Sequence, residues 1–230
     1  TPAGEVKAVN GVSFNLDEGR VLGIVGESGS GKSTIARTVM GLGKPSGGRL
    51  AVHAASVQMV FQDAVGSLNP RMTARQTLAE VLKIKRNPQS PEDLLARVGL
   101  SAAVLDQYPR EMSGGQCQRV SIARALACRP DVLVADEPVS ALDVSVQARV
   151  LNILRDLRRE TGLAILLIAH DLAVVKNVCD TICVMQKGVF VDAGPAEQVF
   201  ANPASDYTRR LLDAVPDVAR ALAERREAAK

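Results

Sequence analysis

The segment from Val21 to Met40 constrains the fold more than any other stretch of the sequence. It consists of the apolar run VLGIV, the glycine-rich GESGSGKS and the helix-forming TIARTVM. The apolar run predicts a buried strand from Val21 to Val25, and the last part predicts a helix from Lys32 to about Met40. A strand that enters a G-x-x-x-x-G-K-[ST] loop and leaves as a helix is typical of a phosphate-binding loop.

This loop predicts a nucleotide site in which individual residues have defined roles. Its backbone N–H groups are expected to surround the β-phosphate, Lys32 to contact the β- and γ-phosphates, and Ser33 to ligate Mg²⁺. The predicted ATP-binding residues of this segment are Gly26, Glu27, Ser28, Gly29, Ser30, Gly31, Lys32, Ser33 and Thr34.

Two further apolar runs predict strands that deliver polar side chains to the same sheet edge. VLVADE predicts a buried strand that ends in Asp136, a candidate ligand of the Mg²⁺ shell, and Glu137, a candidate general base for an attacking water. LAILLIA precedes His170, which we expect to contact the γ-phosphate. In open α/β sheets, ligands bind at the carboxyl ends of the strands.

The alternation of strands and helices predicts a mostly parallel α/β core. Residues 47–62 predict one or two strands that end at Gln62, residues 73–105 predict amphipathic helices, and residues 181–194 predict a hairpin that turns at Lys187-Gly188. Residues 144–160 predict an amphipathic helix, and the tail from Ser205 is expected to be helical.

Composition excludes several function classes. Aromatic residues make up 3% of the chain, tryptophan is absent and the net charge is +3, so we expect no nucleic-acid partner. The four cysteines form no C-x-x-C pair, which argues against a zinc site. The run LAILLIA is too short for a transmembrane helix.

A second glycine-flanked helix start lies in MSGGQCQR. Ser113 is predicted to be its N-cap, with Gln116 completing a capping box. The N-terminus of such a helix is a ready anion site, because its N–H groups are free and its dipole is positive there. One chain therefore carries two candidate phosphate sites.

In this order, GESGSGKST, MVFQD, MSGGQCQR, LVADEPVSALD and LLIAHD resemble the ATPase domain of ABC transporters, over nearly the whole chain. The resemblance implies a P-loop NTPase core with a mostly parallel sheet, a small antiparallel β edge and an α-helical subdomain. It also implies that Gln62, with Ser33 and Asp136, contributes to the Mg²⁺ site and senses the membrane partner. In this family the signature faces the phosphate loop of a second subunit, so two chains trap two ATP molecules. The implied signature residues are Ser113, Gly114, Gly115 and Gln116, and the implied D-loop residues are Ser140, Ala141, Leu142 and Asp143.

FQDAVGSLNPRMT and NPASDYTRRLLDAVP further resemble importers of dipeptides and oligopeptides, whose relatives carry nickel or glutathione. The resemblance implies an ATP-hydrolysing subunit at the cytoplasmic face of the inner membrane. Its implied partners are a second ABC ATPase domain, identical or different and possibly fused, two transmembrane permeases and an extracytoplasmic solute-binding protein. The solute itself stays open.

The resemblance also implies a division of one domain spanning residues 1–230. Residues 1–72 and 127–204 would form a RecA-like core with the β edge, residues 73–126 a helical subdomain with the signature, and residues 205–230 a helical tail.

Three departures from the family pattern stand out. Met112 and Cys117 replace common residues without removing a phosphate contact, and residues 41–57 are short, so the antiparallel edge is expected to be trimmed. No aromatic residue precedes Phe14 to stack on adenine, and TPAGEVKAVNG resembles the middle of a domain, so we expect a truncated N-terminus, disordered N-terminal residues or one half of a fused double ATPase.

Three alternatives compete with this interpretation. A soluble ABC ATPase of DNA repair or translation would carry large insertions or basic arms, which the sequence lacks. A degenerate, non-hydrolysing ATPase is disfavoured by Glu137 and His170, and a P-loop kinase is disfavoured by the SGGQ signature.

Overall fold

A computed structural model describes residues 7–214. Its centre is a six-stranded sheet of order β2-β3-β4-β1-β5-β6. The strands are β1 (Val21–Val25), β2 (Val57–Val60), β3 (Val132–Asp136), β4 (Ala164–Ala169), β5 (Thr181–Gln186) and β6 (Val189–Pro195). All neighbours are parallel except β5 and β6, which are antiparallel at one edge and joined at the predicted Lys187-Gly188 turn. The predicted mostly parallel sheet with an antiparallel edge is confirmed, and its antiparallel pair is the β5–β6 hairpin rather than residues 41–57.

Within residues 7–214 the chain forms eight α-helices, besides two short 3₁₀ helices at Ala102–Val104 and Pro109–Glu111. The α-helices are α1 (Lys32–Val39), α2 (Ala74–Ile84), α3 (Pro91–Arg97), α4 (Gly114–Ala127), α5 (Val144–Thr161), α6 (Leu172–Val175), α7 (Ala196–Ala201) and α8 (Asp206–Asp213). Local sequence explains the starts of α2, α3 and α4, because Thr73, Ser90 and Ser113 each form a capping box with the residue three positions later. α5 ends at Gly162, which adopts the left-handed conformation of a helix C-cap.

The sheet is buried on both faces, as its continuous apolar strands predict. In β1, Val21 and Val25 join one apolar cluster, and Leu22 and Ile24 join the other. α1 packs on the second face, whereas α5 packs on the first. β1 therefore lies between two packed layers, whereas Glu27, Ser28 and Gly29 of the loop after it are exposed.

α2, α3 and α4 pack against one another, and their buried residues belong to the same cluster as one face of the sheet. The predicted helical character of residues 73–126 is thus observed. The division of the chain into a core, a helical subdomain and a tail stays a prediction.

Two regions refine the expectations from sequence. Residues 47–62 contain one strand, which ends at Val60, two residues before the predicted end. The segment before it exposes Leu50 and Val52, so its apolar side chains form no strand face against the core. The predicted tail helix is present as α8, and residues 215–230 lie outside the described part of the chain.

Among residues 7–214, no helix combines the length and apolar character needed to cross a membrane.

Candidate functional site

The phosphate-binding loop connects the buried strand β1 to α1. Gly31 adopts φ 112°, and a Cβ there would lie 2.3 Å from the carbonyl oxygen of Ala8, so only glycine fits. The Gly188 N–H, in the hairpin turn, donates to the Ser30 carbonyl at 2.9 Å. The loop is therefore held on its outer side by the N-terminal segment and by the β5–β6 turn.

The Lys32 side chain folds back along the loop. Its Nζ donates to the carbonyl oxygens of Gly26 at 2.7 Å and Glu27 at 2.8 Å, and the residue is buried. Burial lowers the pKa of Lys32, while the charges of Glu137 and Asp136 oppose that shift. Because the ammonium is partly stripped of water, an anion brought to it would interact strongly.

Ser33 and Asp136 meet across the sheet edge. The Ser33 hydroxyl donates to Asp136 Oδ1 at 3.3 Å, and Asp136 is the buried last residue of β3. Burial raises the pKa of Asp136, the Ser33 hydrogen bond opposes this shift, and the charge of Glu137 adds to it. A carboxylate this poorly compensated is suited to receive a cation.

The donor atoms at this point fit Mg²⁺. They are a hydroxyl and a carboxylate, the hard oxygen ligands that Mg²⁺ prefers. Within residues 7–214, no three His, Cys, Asp or Glu side chains are grouped to cage a metal. This sparse set suits a cation that takes its other ligands from phosphates and water.

Glu137 occupies a strained backbone position directly after Asp136. Its φ is 46°, which is rare for a residue other than glycine, and its N–H donates to the Ile168 carbonyl of β4 at 3.0 Å. Gln62 Nε2 donates to Glu137 Oε2 at 2.9 Å and to Ser140 Oγ at 3.4 Å. Gln62, Glu137 and the first D-loop residue thus form one polar cluster beside the Ser33–Asp136 pair.

His170 lies one residue beyond β4, at the same carboxyl edge of the sheet, and is exposed. Asp171 beside it caps α6, because its carboxylate accepts from the Ala173 N–H at 2.7 Å. Thr34 is exposed in the first turn of α1. The structure therefore puts His170 at the predicted edge, and neither His170 nor Thr34 has a side-chain hydrogen bond to the polar cluster within residues 7–214.

The second glycine-flanked helix start is built as predicted. The Ser113 N–H donates to Gln116 Oε1 at 2.7 Å, and the Gln116 N–H donates to Ser113 Oγ at 3.2 Å. Ser113 and Gly114 are exposed. Within the described residues, the side chains of Ser113 and Gln116 hydrogen-bond only to this capping box, not to the phosphate loop.

The D-loop runs between the two sites. At its start, Ser140 joins the polar cluster around Glu137, as described above. Further on, a Cβ placed on Gly114 would lie 3.8 Å from Leu142 Cδ2. At its end, Asp143 caps α5 by accepting from the Val146 N–H at 3.0 Å, and hydrogen bonds from Ser145 and Val146 lower the pKa of Asp143. Ala141 is exposed on this loop.

Two supports of the phosphate loop were not foreseen from the sequence. One is the Gly188 contact described above, and the other is a hydrogen bond from the Glu27 N–H to Tyr207 Oη at 3.1 Å. The sequence predicts the hairpin turn, and it marks the segment that contains Tyr207 as a family feature. Neither pattern indicates that these two segments contact the phosphate loop.

Comparison with known proteins gives a consistent result. The family model described as ABC transporter matches residues 9–140. The oligopeptide transport ATP-binding protein OppF of Escherichia coli (strain K12) is 45% identical, over 94% of this chain and 71% of its own length. OppF of Bacillus subtilis (strain 168) is 44% identical, over 94% of this chain and 78% of its own length. Among solved structures, the dimeric post-hydrolysis state of the ATP-binding cassette MJ0796 bound to ADP and Pi is 28% identical, covering 82% of this chain and 90% of that one, with a TM-score of 0.73.

Proposed function

Because the chain belongs to the ABC transporter family, we propose that it is the ATP-hydrolysing subunit of an importer for peptides or a related small solute. The importer assignment is supported by relatives that are named oligopeptide transport ATP-binding proteins. The alternative of a soluble ABC ATPase in DNA repair or translation gains no support from these relatives.

The observation that carries the ATPase proposal is the polar cluster at the carboxyl edge of the sheet. Gln62 donates to Glu137, and Asp136, the residue before Glu137, accepts from Ser33. A phosphate loop, a cation-binding pair and an oriented carboxylate in one place are the parts that phosphoryl transfer to water needs.

In this proposal each functional side chain at the carboxyl edge has a task. Lys32 keeps one N–H on the Gly26 carbonyl and turns its other two N–H groups to the β- and γ-phosphates, and His170 contacts the γ-phosphate. Glu137 takes a proton from the attacking water, as a general base, while Gln62 orients its carboxylate. Ser33, Asp136 and Gln62 would hold Mg²⁺, which neutralises phosphate charge when bound.

The signature is proposed to act on the ATP of a second ABC ATPase domain, identical or different. Its support is geometric, since the exposed helix start at Ser113 is capped and, within residues 7–214, its capping side chains make no hydrogen bond to the phosphate loop. A solved relative in the same fold is described as dimeric. ATP would then join two subunits, and hydrolysis would release them.

We further propose that two transmembrane permeases and an extracytoplasmic solute-binding protein complete the assembly. The chain would sit peripherally at the cytoplasmic face of the membrane. The division into residues 1–72 with 127–204, residues 73–126 and residues 205–230 is proposed on the same basis.

The test of the composite site uses mixed dimers purified through two different affinity tags. In the first dimer, one chain carries Ser113→Arg and the other Lys32→Ala, so both lesions fall on one composite site and the second stays whole. In the second dimer, both substitutions lie in the same chain, so each composite site carries one lesion.

Action across the interface predicts more ATP hydrolysis by the first dimer. Action within one chain predicts the reverse, because the second dimer then keeps one intact chain. Equal hydrolysis rates from two dimers that are verified as assembled would contradict the composite site. Substrate class is tested separately, by uptake of labelled peptides into vesicles that contain the assembled transporter.

A further inference from the structure

Tyr207 lies far from the phosphate loop in sequence but is buried against it in the fold. It is 6% exposed on α8, a helix that packs on α6 and β6. Ser205 caps this helix through the Thr208 N–H at 3.0 Å, and Asp192 of β6 accepts from the Ala204 N–H at 2.8 Å. The segment before Tyr207 is therefore tied to the sheet edge, which fixes where the phenol points.

The phenol oxygen accepts a hydrogen bond from the Glu27 N–H at 3.1 Å. That N–H and the Gly26 carbonyl belong to the same peptide group, which is planar and rigid. The Gly26 carbonyl accepts from Lys32 Nζ at 2.7 Å. Tyr207 and Lys32 thus hold the two ends of one peptide plane, and rotation of that plane would break both hydrogen bonds.

We propose that Tyr207 is a positioning residue for the phosphate loop, holding the Gly26–Glu27 peptide in the orientation that places Lys32. This inference rests on the proposed nucleotide-binding role of the loop. It assigns to the C-terminal segment, so far only a mark of the importer subfamily, a physical connection to the nucleotide site.

The hydroxyl, rather than the ring, carries the proposed effect. A phenylalanine ring would fill the same space between α8 and the loop, but it would leave the Glu27 N–H without its acceptor. Tyr207→Phe therefore removes the hydrogen bond and keeps the packing. Thr208→Val is the matched control, because it also deletes a buried hydroxyl of α8, one that pairs with Ser205 instead of the loop.

The experiment measures the affinities of ATP, ADP and AMP by competition with a fluorescent ATP analogue. Tyr207→Phe should weaken ATP and ADP binding by about threefold to tenfold, the loss of one neutral hydrogen bond. AMP affinity should not change, since Lys32 is proposed to contact the β- and γ-phosphates only. Thr208→Val should bind all three nucleotides as the wild type does.

Two results would overturn the inference. One is wild-type ATP affinity in Tyr207→Phe, and the other is an equal loss for AMP and ATP, which would indicate a general structural effect. Lys32→Ala separates the two levels of the argument, because unchanged ATP affinity in that variant would refute the proposed role of the loop itself.

A measurement on the wild-type chain covers the case in which Tyr207→Phe does not fold. In the nucleotide-free protein, the Glu27 amide should exchange with deuterium more slowly than the neighbouring Ser28 amide. Equal, unprotected exchange of the two amides would mean that the Tyr207 hydrogen bond does not form in solution.

Discussion

Gly115 of the signature offers a direct test of how the second candidate site is built. It is buried at the second position of α4, and a Cβ there would lie 2.5 Å from Val146 Cγ1 of α5. Contacts that short do not occur between real side chains, and valine in a helix is held in one rotamer. Gly115→Ala should therefore force α4 away from α5.

The expected magnitude follows from two opposing effects. Overpacking destabilises by about 1–3 kcal/mol, and alanine returns up to about 1 kcal/mol in helix propensity, which leaves a net loss of about 1 kcal/mol. Val146 is half-buried, so Val146→Ala alone should also lose about 1 kcal/mol. The double variant removes the clash and keeps the propensity gain, so its stability should be close to that of the wild type.

The assay is urea unfolding of the wild type and the three variants, followed by far-UV circular dichroism because the chain has no tryptophan. The interaction between the two substitutions should be about 1–2 kcal/mol in the stabilising direction. Gly114→Ala is the control, since its Cβ would meet Leu142 at an ordinary 3.8 Å. Losses that add within about 0.5 kcal/mol would refute the close packing of α4 on α5.

Three further predictions concern the nucleotide site and helix α4. Glu137→Gln should keep ATP binding and slow hydrolysis by roughly 10²–10⁴, the share of a general base, and wild-type turnover in the assembled transporter would remove Glu137 from that role. Because burial raises the pKa of Asp136 above 3.8, the wild type should lose stability relative to Asp136→Asn as the pH rises from below 3.8 through the folded-state value. Urea unfolding of both proteins across this pH range is the check, and a difference that does not change with pH would contradict it. Ser113→Ala should lower the free energy of unfolding by about 1 kcal/mol, because α4 loses its N-cap. Urea unfolding measures this loss, and an unchanged midpoint would show that packing alone holds α4.

The parts of the site that follow from sequence are those set by local pattern. The strand Val21–Val25, the loop after it and the strand that ends at Asp136 have the predicted bounds, because an apolar run and its flanking glycines or carboxylates fix them locally. The capping box at Ser113 is local in the same way, since all its atoms lie within four residues. The common edge for Asp136 and His170 followed from the geometry of parallel strands.

The contacts that sequence did not supply join distant segments. Gln62 and Glu137 are 75 residues apart, and Glu27 and Tyr207 are 180 residues apart. No local periodicity predicts such a pairing, because it depends on how β2 and α8 are placed in the fold. The resemblance to a family singled out both segments, but it gave Tyr207 no role.

The two signature glycines look alike in the sequence pattern but differ in their packing. In the sequence they are equivalent, since either would leave the helix start open to an anion. In the fold Gly114 is exposed with ordinary space beside Leu142, whereas Gly115 is buried against Val146. A glycine at position 115 is thus already required by the contact between α4 and α5, whatever lies beyond the helix start. At position 114 no neighbour among residues 7–214 requires a glycine, so a requirement there would come from the proposed partner that approaches that surface. Activity lost in Gly114→Ala at unchanged stability would therefore report on the proposed partner and its nucleotide, whereas a defect in Gly115→Ala reports first on the fold.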